Sequence, residues 1–333
     1  HAWLAAAGVM VMQTTSELAP GAYLKRYYAP ASTGNFSVGF DLLGAAFEPV
    51  SGELFGDVLD IVAEQADMQL TIVGRYVHQL PADRNDNLVL SCFDAFERKV
   101  GRNLPKLALR LHKNLPVGSG LGSSACSIVV ACYAFNDYFG KPLSEAELLQ
   151  LMAEAEGGVS GSVHYDNVAP SYYGGLQLML PQSQRICRSL PWFAQWRVVL
   201  SYPGTVLSTK AARAVLPQQL SLGQSIAFAG MLSRFVSAMY AQDEDDAAAA
   251  LQDLVAEPAR TPLLPELPAL RAALAEQGIL HLGISGAGPT LFALCRDDAQ
   301  AQLAADYLSR HYEKNQDATT QICRLSLAGA RAL

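Results

Sequence analysis

PVGSGLGSSACS, residues 116–127, decides the reading of this chain. Three glycines and four serines fall in its twelve positions, and the apolar run IVVACYAF (128–135) follows at once. Glycine lets the backbone approach a ligand closely and adopt positive φ. A Gly/Ser loop opening onto a helix leaves unpaired N–H groups in a concave nest, and the helix dipole adds partial positive charge there. That combination is an anion cradle, suited to phosphate. The familiar nucleotide motifs do not fit it. The Walker pattern needs a second glycine and then Lys five and six positions after Gly118, and Ser123 and Ser124 stand there. The dinucleotide pattern G-x-G-x-x-G fails at the same Ser123. A second glycine stretch, GISGAGPT (283–290), has Pro289 where Lys would be required.

The rest of the chain bounds the answer. Its 333 residues suggest two domains; half are hydrophobic, 17% are charged, and the net charge is −7. That balance gives no nucleic-acid footprint and no anionic-membrane surface, and no apolar run reaches the length of a membrane span. Six cysteines lie singly in apolar stretches without a C-x-x-C pair, which reads as small buried hydrophobes in a reducing compartment, the cytoplasm. Residues 1–22 read as a poorly ordered leader without chemistry.

Periodicity gives an α+β order. Residues 32–47 read as a loop between strands, while 57–64, 68–74, 107–116, 176–181 and 196–202 alternate as strands do. A helix is predicted within 83–101, with Gly101 as its stop, another over about 124–139, and a third over 144–157, capped by Ser144 with Glu147 three residues on and ended by Gly157. Residues 205–258 read as largely helical, and the end as strand, turn, strand, helix (298–314) and strand (320–327). The boundary between two lobes falls near 180–195, dividing 23–188 from 189–333. The acidic run AQDEDDAA (241–248) opens a helix, where carboxylates suit the dipole, and is not read as a metal site.

YAPASTGNFSVGFDLLG (28–44), PVGSGLGSSACS (116–127) and GISGAGPTLFAL (283–294) resemble, in order and separation, the three signature motifs of the GHMP small-molecule kinases, the family of galactokinase, homoserine kinase, mevalonate kinase and phosphomevalonate kinase. The segments EGGVSGSVHYDNVAPSYYGG (156–175), STKAAR (208–213) and AEPAR (256–260) resemble the branch that phosphorylates homoserine. The resemblance implies a two-lobed α+β fold, with an N-terminal ribosomal-protein-like ATP lobe and a ferredoxin-like C-terminal lobe. It implies ATP and Mg²⁺ as cofactors, L-homoserine as substrate on the route to threonine, and a homodimer. By the same resemblance ATP lies on Pro116, Gly118, Ser119, Gly120, Leu121, Gly122, Ser123 and Ser124, with Asn87 and Leu88 near the adenine and Lys113 near the phosphates. Ser124 and Glu156 match the metal positions, and hard oxygens suit Mg²⁺.

The substrate end follows the charges of a zwitterion. Its carboxylate calls for Arg, whose planar fork binds it bidentately, and Arg213 and Arg260 match the family positions for that role; its ammonium calls for carboxylate and amide oxygens, where Asp41 and Asn35 match, and by the same resemblance His164 and Thr209 complete the set. Mevalonate kinase and other relatives place a candidate base, an Asp, eleven residues after the metal-binding Glu. Here that position is Asn167, which cannot usefully accept a proton at neutral pH. The expectation is direct in-line attack by the substrate hydroxyl, with Asn35, Asn167 and Arg213 as the catalytic set. Asp166 is adjacent, but neighbouring side chains need not point the same way.

Overall fold

In the computed structural model, residues 22–80 and 87–333 are described. The leader assigned to residues 1–22, apart from Ala22, lies outside them, as does most of the polar turn at 83–87.

The first strand, β1 (Lys25–Gly34), changes partner halfway along. Its first half pairs with β3 (Gly56–Gln65), ending at Pro30 opposite Gly56, and its second half pairs with β2 (Leu43–Pro49) from Ala31 onward. Proline has no N–H to give a ladder, so the switch falls where one donor is already missing. Gly56 permits the close crossing, since a Cβ there would stand 1.9 Å from the Ala29 carbonyl oxygen. Sequence reading put a loop over 32–47; strands occupy most of it, and only 35–42 is left to turn. The clustered Gly, Ser and Asn masked two half-buried strands.

Next come β4 (Gln69–Val73), α1 (Leu88–Val100) and β5 (Lys106–His112), with β4 and β5 parallel across the helix. Asn87 caps α1 by accepting from the Val89 N–H, and Gly101 ends it at φ 74°. The helix α2 (Ser123–Tyr138) is apolar almost all round and is buried under α1, α3 (Glu145–Ser160) and α4 (Val168–Tyr173), as such a helix must be. Ser144 and Glu147 form the capping box on α3. Its end is not at Gly157, however. The helix runs through Gly157 and Gly158 to a left-handed cap at Gly161 (φ 90°), so Glu156 sits inside it.

The chain continues through β6 (Leu176–Met179), β7 (Cys187–Leu190), β8 (Arg197–Tyr202), α5 (Thr209–Ala214), α6 (Leu222–Ala241), α7 (Glu244–Ala249) and α8 (Glu257–Arg260). It closes with α9 (Leu267–Glu276), β9 (His281–Ile284), β10 (Leu291–Cys295), α10 (Asp298–His311), β11 (Thr319–Leu325) and β12 (Arg331–Ala332). The helical reading of 245–258 holds only in part, because 250–256 is not helical. Asp243 caps α7 as the acidic run suggested.

Strands run in the order β4-β5-β3-β1-β2-β11-β8-β10-β9, and β12 returns to pair with β1. A large core lies around α2 and reaches Phe235 and Met239 of α6, and a second core lies under α9 and α10. All six cysteines are free and buried. Among the described residues no helix is long and apolar enough to cross a membrane.

Candidate active site

The glycine-rich stretches meet at the junction of the two halves. Gly118, Gly120 and Gly122 take φ of 61°, 83° and 64°. A Cβ on Gly120 would stand 2.3 Å from the Ser285 carbonyl oxygen and 2.9 Å from that of Gly288, so this loop is built on the second glycine turn. The Thr290 N–H donates to the Ser119 carbonyl, the Ser285 hydroxyl to the Gly120 carbonyl, and the Ser32 N–H to the Leu121 carbonyl. The three motifs form one hydrogen-bonded unit at the N-terminus of α2.

Beside that loop a cavity of about 250 Å³ is lined by Leu80, Asn87, Leu88, Leu111, Val117 and Val159, with Lys113, Ser123, Ser124 and Ser127 at its floor. Its apolar walls suit an adenine ring, and its polar end faces the glycine loop. Asn87 and Leu88, expected near an adenine, both line this cavity. Lys113 does not act as expected. Its Nζ donates to Asp57 Oδ2 (2.5 Å), the Ser123 carbonyl (3.0 Å) and Ser127 Oγ (2.9 Å), and the residue is buried. All three ammonium protons are committed, so Lys113 fixes the first turn of α2 and is not free to bind phosphate. Pro116, Ser119, Leu121 and Ser123 are also buried, and of the loop's serines Ser123 and Ser124 line the cavity.

Ser124 Oγ donates to Glu156 Oε1 at 2.7 Å, while Glu156 Oε2 is buried without a partner. Burial pushes the Glu156 carboxyl up to about 7. A buried orphan oxygen beside a hydroxyl at the phosphate cradle fits a hard divalent cation that keeps water and phosphate as its other ligands. Among the described residues no group of three or more His, Cys, Asp and Glu side chains gathers to hold a metal, here or elsewhere. The high carboxyl value has a stability consequence. The folded state holds this proton between the ordinary 4.5 and about 7, so folding bears a cost that appears as pH rises through that window. His281, buried and pushed down to about 3, acts in the opposite sense below pH 6.5, so the informative quantity is a difference between proteins. Glu156→Gln should gain stability relative to wild type between pH 5 and pH 8, by about 3 kcal/mol at most. Unfolding midpoints at both pH values check this, and an unchanged gap would refute it.

Next to Ser124, and sharing Glu156, a cavity of about 60 Å³ is lined by Asn35, Asp41, Glu156, Ser160, His164, Asp166, Asn167, Thr209, Arg213, Arg260, Gly286 and Ala287. Every residue expected at the substrate end is among them. Arg213 Nη2 donates to Asp41 Oδ1 at 2.8 Å, and His164 Nδ1 lies 3.4 Å from Asp41 Oδ2. Burial lowers the His164 pKa against the pull of Asp41. Arg260 is 2% exposed, donates only to the carbonyls of Ala212 and Gly286, and forms no ion pair among the described residues. Both guanidinium carbons lie 5.8 Å from the centroid of Phe40.

The loop that presents Asp41 is strained. Asn35, Phe36, Ser37 and Asp41 have φ of 66°, 43°, 57° and 57°, a region non-glycine residues rarely enter. It is held by Phe36 stacking on Phe292 at 4.8 Å, by Ser37 against His281 (2.7 Å), and by the Asn35 amide, which donates to the Gly286 carbonyl and accepts from the Asp41 N–H. Sequence reading missed these anchors, because nothing in NFS marks a left-handed turn.

It also left Asp166 open, whereas Asp166 and Asn167 both face the cavity. A methyl placed on Gly34 would stand 2.4 Å from Asp166 Oδ2 and 2.6 Å from Asn167 Nδ2. On the other side Asn167 Oδ1 accepts from Ser32 Oγ.

Residues 87–175 match the N-terminal domain of the GHMP kinases and residues 235–314 match their C-terminal domain. The chain belongs to the GHMP kinase family. Its fold superposes on homoserine kinase from Cytophaga hutchinsonii with a TM-score of 0.82 and 30% identity, covering 93% of this chain and 97% of the other. The fold alone is shared with L. major mevalonate kinase in complex with R-mevalonate (TM-score 0.68, 16% identity, 90% and 96% covered). The same holds for a D-glycero-D-manno-heptose 1-phosphate kinase from Bacteriodes thetaiotaomicron (0.64, 15%, 93% and 99%). The family's kinases use ATP.

Proposed function

We propose that this kinase transfers the γ-phosphoryl group of ATP to the side-chain hydroxyl of L-homoserine, giving O-phospho-L-homoserine. The observation that carries the reading is Arg260, a buried guanidinium that has no ion-pair partner among the described residues, lining one cavity with Arg213 and Asp41. A buried unpaired cation is costly, and an α-carboxylate would neutralise it while Asp41 takes the ammonium. Mevalonate would supply the carboxylate but nothing for Asp41, and a sugar would supply neither. The likeness to the Cytophaga hutchinsonii homoserine kinase supports the same choice.

Mg²⁺ would be held by Ser124 and Glu156 and would neutralise charge on the phosphates. The chain's own residues do the rest. The glycine loop and the N-terminus of α2 bind phosphate, Arg213 and Arg260 hold the amino acid's carboxylate, and the hydroxyl faces the γ-phosphorus for in-line attack. ADP release with Mg-ATP and L-homoserine, mevalonate, galactose or buffer tests this. Homoserine alone should give release. Release with another alcohol would overturn the substrate, and ATP binding with no release in any arm would make the chain a sensor.

A further inference from the structure

Between the phosphate loop and the amino-acid end the cavity has one polar wall, and its order is fixed by the backbone. A methyl on Gly122 would stand 2.9 Å from Asn167 Oδ1, and one on Gly34 would stand between Asn167 Nδ2 and Asp166 Oδ2. Asn167 thus adjoins the phosphate loop, and Asp166 comes next toward Asp41 and Arg213. Asp166 is 5% exposed and makes no ion pair among the described residues; main-chain N–H groups, including that of Asn35, are its hydrogen-bond support. A carboxyl buried at such cost on the wall of the cavity, with Oδ2 packed in the room that Gly34 leaves for it, is placed to meet a ligand.

We propose that Asp166 accepts the proton of the substrate hydroxyl as the phosphoryl group moves. The substrate is anchored at one end by the arginines and attacks phosphorus at the other, so its hydroxyl passes along the Asp166–Asn167 wall. The oxygen forms its bond to the γ-phosphorus, the bridging P–O bond breaks with its electron pair leaving on ADP, and the proton passes to an Asp166 carboxylate oxygen and then to water. Asn167 can hold the oxygen but cannot take the proton. Burial and the nearby Asp41 charge push the Asp166 carboxyl up to about 7, with Arg213 opposing, which suits a group that gains and loses a proton near neutrality. The other titratable or charged groups facing the cavity are Glu156, His164 and Arg260.

The inference rests on the homoserine reading only for the identity of the alcohol. Asp166→Asn keeps shape and still accepts from main-chain N–H. Its kcat at saturating Mg-ATP should fall at least about a hundredfold, with KM for homoserine and ATP unchanged. The fall of kcat toward acid pH in the wild type should vanish in the variant. A kcat within threefold of wild type, or a loss carried by KM, would overturn the proposal and return the proton to a phosphate oxygen. If Asp166→Asn does not fold, Asp166→Glu decides: it retains the carboxyl, so measurable kcat with a displaced acid limb is expected, and an undisplaced limb overturns the idea. If wild type turns over mevalonate or galactose instead, the substrate reading fails and Asp166 is judged on that alcohol. Turnover with none of them overturns both.

Discussion

Glu156→Gln is expected to lower Mg-ATP-dependent ADP release roughly a thousandfold, the loss of several kcal/mol of charge stabilisation at the phosphates. The substitution keeps an oxygen for Ser124 Oγ but removes the anion whose second oxygen, Oε2, is buried without a partner. It also removes a carboxyl that burial disfavours in its charged form, so the inactive variant should be at least as stable as wild type at pH 8. Activity and stability then move in opposite directions, which a folding defect cannot imitate. The Mg²⁺ dependence gives a second reading. Metal binding needs the carboxylate, so half-saturation of wild type by Mg²⁺ should tighten as pH rises through about 7, and that dependence should disappear in Glu156→Gln. A rate loss under tenfold would remove Glu156 from the metal.

Arg260→Ala is expected to raise KM for homoserine by about a hundredfold, within the range for deleting one side of a buried charged contact, with KM for ATP little changed. Because Arg260 also holds the carbonyls of Ala212 and Gly286, Arg260→Lys is the companion. It keeps the charge but loses the fork, and should fall between the two. Arg213→Ala should raise KM in the same sense while leaving Asp41 its contact with His164. If KM for homoserine stays within threefold in both alanine variants, the amino-acid end lies elsewhere.

The parts of this site legible in the sequence are those whose chemistry is local. The glycine loop announces itself because positive φ at Gly118, Gly120 and Gly122 requires that residue, and Ser144 caps its helix by a contact three residues away. What failed is long-range. Lys113 reads as a phosphate ligand until Asp57, from a neighbouring strand, is seen to take its charge. The left-handed run at Asn35–Ser37 is paid for by Phe292 and His281, almost the whole chain away. Gly157 looked like a helix stop, yet tertiary packing carried α3 one turn further and set Glu156 within it.

The Asp41–Arg213 pair holds together, on the wall of the substrate cavity, the two charges that a zwitterion would need. An amino acid bound there would draw that pair apart and supply each half with a new partner. Binding is then an exchange of ions in which no charge is left bare at the end. A neutral polyol has no charge to trade, and ionic strength, which weakens the old pairing and the new one alike, should change affinity for a zwitterion little.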